Sequence, residues 1–182
     1  MMRVAFLPVY ANPYQRLLAD GLALHGVDVE MLPGLPSADW LRQNRGQIDV
    51  LHFHWLYGLY MARLRTPWQV QAFLARFRLA RHLGYRIVWT AHNIMPHRAA
   101  GLRPLHARIR RLMMAEADAV IIHCEAGRRE LLARLPRTRP THVIPIGSYA
   151  GVYPMAVSRA QARARLGIDQ AAFVYLALGN IA

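Results

Sequence analysis

The sequence predicts an α/β fold, a doubly wound and mainly parallel sheet with helices on both faces. Three observations carry this. Six short apolar runs recur over residues 1–146, and several are apolar at nearly every position, the pattern of parallel strands covered on both sides. Segments of helical periodicity separate them. Cap and turn residues such as Asn12-Pro13, Gly26, Pro67 and Gly84 punctuate the junctions.

Taken in order, VAFLPVY (4–10) is the first strand. A helix follows, in which Asn12 caps, Pro13 takes the first helical position, Tyr14, Leu17, Leu18 and Gly21 share one face, and Gly26 closes the end. VDVEML (27–32) and IDVLHFHW (48–55) are the next strands. The longest helix, 67–84, starts at Pro67 and aligns Val70, Phe73, Leu74, Phe77 and Ala80 before Gly84. YRIVWTA (85–91) is the fourth strand. The helix over 102–116 sets Leu105, Ile109, Leu112 and Met113 on one stripe, with Arg103, Arg108, Arg110 and Arg111 on the other side. ADAVIIHC (117–124) is the fifth strand, and Glu125 then favours the N-terminal dipole of a helix opening EAGRREL. THVIPI (141–146) is the sixth.

The pattern then changes. IPIGSYAGVYP (144–154) is rich in glycine, tyrosine and proline and reads as a linker. A helix over 158–168, capped by Ser158 and closed by Gly167, and a strand AFVYLALG (172–179) come after it. One helix and one strand cannot bury a core. The expected organisation is therefore a domain over 1–143, a linker over 144–154 and the start of an incomplete second domain over 155–182.

With 54% hydrophobic residues in 182, the chain has material for a packed core. The formal charge is +13, and all 23 basic residues are arginine. Arginine forks suit phosphate-rich partners, although GC-rich codon usage would remove lysine equally well. Charge alone speaks for nucleic acid; helix-turn-helix, zinc-finger and RNP patterns are missing, and no nucleic-acid partner is expected. The single Cys124 excludes an internal disulfide and agrees with a reducing compartment. RVAFLPVY at the start lacks the order of a signal peptide, and no apolar run reaches the roughly 18 residues of a membrane span. The expected location is cytoplasmic, with any membrane contact peripheral.

Neither G-x-G-x-x-G nor G-x-x-x-x-G-K-[ST] occurs, so the site has to be sought elsewhere at the carboxyl ends of the strands, where such sheets bind ligands. Four clusters fall there: YANPYQ, HFHW, TAHNIMPHR and HCEAGRR. In TAHNIMPHR, His92 and Asn93 offer donors and acceptors, and Arg98 offers a phosphate fork; the competing reading has Asn93 capping a turn and His92 bonding a nearby carbonyl. In HFHW, His52 and His54 share one side of a strand. His54, nearer the strand end, is the pocket candidate, and His52 is expected to be a satisfied core histidine. His52 and His54 with His123 and Cys124 make a weak metal set lacking C-x-x-C or H-E-x-x-H, so no metal is expected. Cys124 shows nothing that would lower a thiol pKa, which argues against a nucleophile. HWLYGLYMARLR (54–65) joins aromatic residues to Arg63 and Arg65. With Arg103, Arg108, Arg110 and Arg111 it would form a surface for an anionic bilayer, unless the aromatic stripe is simply core.

Set in order, NPYQRLL, DVLHFHW, TAHNIMPH, ADAVIIHCEAGRREL and VIPIGSYAGVYP followed by SRAQARARLGI resemble the N-terminal half of a two-domain glycosyltransferase of GT-B fold. The likeness is to glycosyltransferase family four, near its bacterial exopolysaccharide and lipid-linked mannosyltransferase-like members, and covers nearly the whole chain. It implies a Rossmann-like first domain, transfer of a sugar from a nucleotide-sugar co-substrate without a further cofactor, and a saccharide or polyprenyl-linked acceptor received on this half of the cleft. The resemblance makes His92, matching the histidine of a T-x-H motif, the contact to the donor sugar. It places Arg98 and the YANPYQ loop, with Asn12 and Tyr14, near the acceptor or the pyrophosphate; His54, Asn93 and His97 are substrate-binding candidates by their place at the strand ends. The glycine pair that many relatives carry in the first loop is Ala11, Asn12 and Pro13 here, which argues against close backbone approach to a phosphate. The alternative is a non-catalytic, membrane-associated acceptor-binding subunit of a split glycosyltransferase. On either reading the nucleotide-holding domain lies outside these residues, and the isolated chain is expected to be inactive.

Overall fold

The computed structural model describes residues 1–61, 66–94, 103–154 and 156–177. Arg63, Arg65, His97 and Arg98 lie outside them, as does the side chain of Arg103. Contacts divide the chain into Met1–Gly147 and Ser148–Ala182.

In the first unit, six strands form one sheet: β1 Met2–Leu7, β2 Val27–Met31, β3 Val50–Phe53, β4 Arg86–Thr90, β5 Ala119–Ile122 and β6 Thr141–Val143. Their order is β2-β1-β3-β4-β5-β6 and every pairing is parallel, the Rossmann-like sheet expected from the continuous apolar runs. Because alternate residues face opposite ways, β1 supplies two cores: Ala5 and Leu7 to one, Val4 and Phe6 to the other. Helix α1 (Pro13–Ala23) covers the second face with Leu18, Ala19 and Leu22. It starts where the sequence places it: Asn12 Oδ1 accepts from the Tyr14 N–H at 3.1 Å and Pro13 follows.

The other face carries the larger core, built on Phe53, Ile87 and Trp89 of the sheet with Phe73 and Phe77 of α4 (Thr66–His82) and Ile109 and Met113 of α5 (Arg103–Glu116). Two short helices add to it; the first has no counterpart in the apolar pattern, and the second lies in HWLYGLYMARLR, whose aromatic stripe is the alternative core reading. In α2 (Ala38–Gln43), Ser37 caps and Leu41 is buried; in α3 (Tyr57–Tyr60), Leu59 and Tyr60 are buried. The apolar residues of HWLYGLY are thus largely core, with Leu56 buried as well, and only Tyr57 turns outward.

Arg110 departs from the expected arginine face. The buried side of α5 runs through His106, Arg110, Met113, Met114 and Ala117, a wider stripe than Leu105, Ile109, Leu112 and Met113 suggest, and it takes Arg110 inward while Arg108 and Arg111 stay exposed. The C-terminus of α5 draws its cation from a distant loop. Arg137 donates to the carbonyls of Met114 and, at 2.8 Å, Ala117, and Arg139 donates to Glu116 at 3.1 Å, filling carbonyls that the helix leaves open. Arg137→Ala should lower stability by about 2–3 kcal/mol, the worth of charged hydrogen bonds to buried acceptors, read as the shift in urea midpoint at unchanged m.

Helix α6 (Glu125–Arg134) begins at Cys124, whose Sγ accepts from the Gly127 N–H at 3.3 Å, so the thiol serves as a cap. In the second unit, α7 (Arg159–Leu166) starts with a capping box between Ser158 and Gln161 and ends at Gly167, whose φ of 66° suits glycine. Residues 172–177 of the expected last strand carry no regular structure. A strand needs a partner, and Phe173 and Tyr175 are 82% and 91% exposed.

Candidate functional site

Three consecutive strands of the sheet end in histidine. His54 lies one residue past β3, His92 two past β4 and His123 one past β5. Parallel pairing brings these ends together at the carboxyl edge, where the β1 loop also turns into α1. The backbone sets the edge: the His54 N–H donates to Leu7 at 2.8 Å and the Ala91 N–H to Ile121 at 2.8 Å.

The imidazoles form a chain. His54 Nδ1 stands 3.3 Å from His92 Nε2, His92 Nδ1 stands 3.2 Å from His123 Nε2, and His123 Nδ1 reaches the Ile144 carbonyl at 2.9 Å. A carbonyl only accepts, so His123 Nδ1 carries the proton. With the rings neutral, His123 Nε2 must then accept from His92 Nδ1–H, and His92 Nε2 from His54 Nδ1–H. The direction is fixed from one end, and His54 Nε2 is left as a lone pair. That atom is buried and has no partner among the described residues. Burial pushes His92 down to about 3, aided by His123, and holds His54 far below the ordinary imidazole range, aided by its three histidine neighbours. His52, stacked on His54 at 4.2 Å, gives Nε2 to the Thr90 hydroxyl at 2.8 Å, and burial lowers it to about 3. It is the satisfied core histidine that its place inside the strand predicts.

Aromatic rings pin the chain. Trp55 stacks on His92 at 4.2 Å and 11°, and Tyr14 meets His92 edge-on at 5.0 Å while also reaching His54 and His123. Tyr10 braces Trp55 from the β1 loop, and this needs Gly58, where a Cβ would come within 1.9 Å of the Tyr10 hydroxyl. Asn12, expected at the substrate, spends its side-chain oxygen on the α1 cap.

Two openings flank the row. A crevice of about 450 Å³ between the ends of β4 and β5 and helix α6 is lined by His92, Asn93, His123, Cys124, Glu130 and Arg134, among others. Glu130 and Arg134 pair along its α6 wall, one helical turn apart, at 2.7 Å. On the other side, a cavity of about 10 Å³ lies among His54, Trp55, Tyr57, His92, Asn93 and Arg110. The structure therefore brings together His54, His92, Asn93 and Tyr14 of the expected set. It adds His123, Trp55 and Arg110, which the sequence shows only as a histidine in HCEAGRR, an aromatic in HFHW and one arginine among many. Among the described residues no group of three His, Cys, Asp or Glu side chains is placed to hold a metal ion. No described helix is long and apolar enough to cross a membrane.

An all-parallel, doubly wound sheet whose polar residues gather at the carboxyl edge beside its topological switch point is a Rossmann-like fold with its candidate site where sheets of this class hold ligands. Residues 28–147 match the model of Glycosyltransferase Family 4, and the chain belongs to that family. No curated protein matches the chain.

Proposed function

We propose that this chain supplies the acceptor-side half of the cleft in a GT-B glycosyltransferase that moves a sugar from a nucleotide-sugar to a saccharide or polyprenyl-linked acceptor, as in exopolysaccharide or lipid-linked mannosyl transfer. The row His54–His92–His123 beside an open crevice is the observation that carries this reading. Both ring nitrogens of His92 are occupied by imidazoles, so a sugar hydroxyl gains access by entering between His92 and His123, which line the crevice together. It accepts from His92 Nδ1–H and donates to His123 Nε2, and no hydrogen bond is lost because a hydroxyl does both. The neutral rings thus act as oriented dipoles. Charge on the departing diphosphate needs cations from the domain that holds the nucleotide. The exposed Arg108 and Arg111 support peripheral contact with an anionic membrane at its cytoplasmic face.

The test uses the two-domain enzyme with labelled nucleotide-sugar. His92→Ala should cut kcat/KM about a hundredfold, the range for loss of one preorganised donor at a reacting sugar. Full transfer by that variant would overturn the assignment.

A further inference from the structure

Arg110 is a buried cation without an anion. It is 3% exposed, and among the described residues its Nε has no partner, while Nη1 reaches the His106 carbonyl at 3.5 Å and the guanidinium also hydrogen-bonds the Tyr60 hydroxyl. All ten acidic residues of the sequence lie among the described residues, and none of their ion pairs includes Arg110. Its neighbours stay neutral: burial pushes the Tyr60 hydroxyl up against the pull of the guanidinium, and burial together with Arg110 pushes His106 down. A buried charge left unpaired is costly, and an anion that reaches it relieves the cost.

The cavity of about 10 Å³ that Arg110 lines has room for about one oxygen atom. Two buried atoms without a partner among the described residues belong to residues of its wall, a donor at Arg110 Nε and an acceptor at His54 Nε2. An oxygen that satisfies both must accept one hydrogen bond and donate another. Water and alcohols do this but leave the charge unanswered. A sulphate or carboxylate answers the charge but sets a lone pair against His54. A phosphate monoester, with a second pKa near 6, brings negative charge and an O–H in one group.

We propose that this cavity is a subsite for one oxygen of a proton-bearing phosphate monoester on the acceptor, held between Arg110 and His54. Its place in the acceptor rests on the function proposed above; the phosphate site itself rests on the cavity alone, so a binding test separates the two.

Methyl phosphate and methyl sulphate are titrated into the 182-residue chain at pH 6. Methyl phosphate should bind at least about tenfold more tightly, and Arg110→Met should weaken it by about tenfold or more, as expected for one charged hydrogen bond. Arg108→Met and Arg111→Met, on the exposed side of the same helix, should leave it within about twofold. Equal affinity for the two esters, no binding, or equal losses in all three variants would overturn the site. Should Arg110→Met not fold, the Arg110 Nε–H resonance of the wild-type chain is followed instead. It should move with methyl phosphate and not with methyl sulphate, and an unmoved resonance overturns the proposal. ADP that displaces methyl phosphate and loses affinity equally in Arg110→Met would keep the site but overturn its assignment to the acceptor.

Discussion

Acidification from pH 7.5 to pH 4 should remove most of the stability of the sheet domain. His52 and His92 are lowered from 6.5 to about 3 in the folded chain, and His54 is pushed down further. Below pH 6.5 the unfolded chain takes up protons that the folded rings refuse, so stability falls with pH. The fall continues until the folded pKa is reached and then stops. Each such ring contributes a slope of about 1.4 kcal/mol per pH unit across that window, or about 3 kcal/mol at pH 4 for the fully buried His52. His54 adds a comparable amount. Two or three rings together rival the 5–15 kcal/mol that typically holds a domain of this size. Urea midpoints at pH 7.5, 6, 5 and 4 measure the loss, and His52→Gln should make the slope shallower by about 1.4 kcal/mol per unit whatever it costs at neutral pH. A midpoint that stays flat between pH 6.5 and 4 would show that the rings titrate normally.

What the sequence discloses of this molecule follows from which interactions are local. The strands are legible because β1, β3 and β5 read as nearly continuous apolar runs, and β3 and the second half of β1 are buried on both faces. The starts of α1 and α7 are legible because Asn12-Pro13 and Ser158-x-x-Gln161 are complete caps within four residues. Helix α2 is too short to show a period, although Ser37 caps it. Residues 172–177 have the composition of a strand, but composition supplies no partner. Arg110 is the instructive case. As a charge it is expected to face outward, yet at i+4 from His106 and i−3 from Met113 it shares their buried side. In the site, HFHW, TAH and HC each show a histidine at a strand end. Sequence shows no ladder register, and register is what sets three rings 3.2–3.3 Å apart. Thus His54 and His92 are visible as candidates, while His123 as the anchor of their orientation is not.

That anchor has a measurable consequence. A neutral imidazole in water favours the proton on Nε2; here the Ile144 carbonyl, 2.9 Å from His123 Nδ1, forces the opposite choice on three rings in series. Nitrogen chemical shifts at pH 8.5, above the ordinary imidazole range, should therefore report Nδ1–H for His54, His92 and His123 together. His123→Phe keeps a ring against Tyr14 but takes away the acceptor for His92 Nδ1–H. His92 should then revert to Nε2–H and donate to His54 Nδ1, which drives the proton of His54 to Nε2, so one substitution flips two rings. The effect reaches the Arg110 cavity. With a donor at His54 Nε2 in place of a lone pair, methyl sulphate becomes as acceptable there as methyl phosphate, and the tenfold preference should shrink to within about twofold. Loss of packing alone would weaken both esters alike and leave their ratio unchanged. If His92 keeps Nδ1–H in the variant, the carbonyl does not set the chain, and His123 has no part in orienting the site.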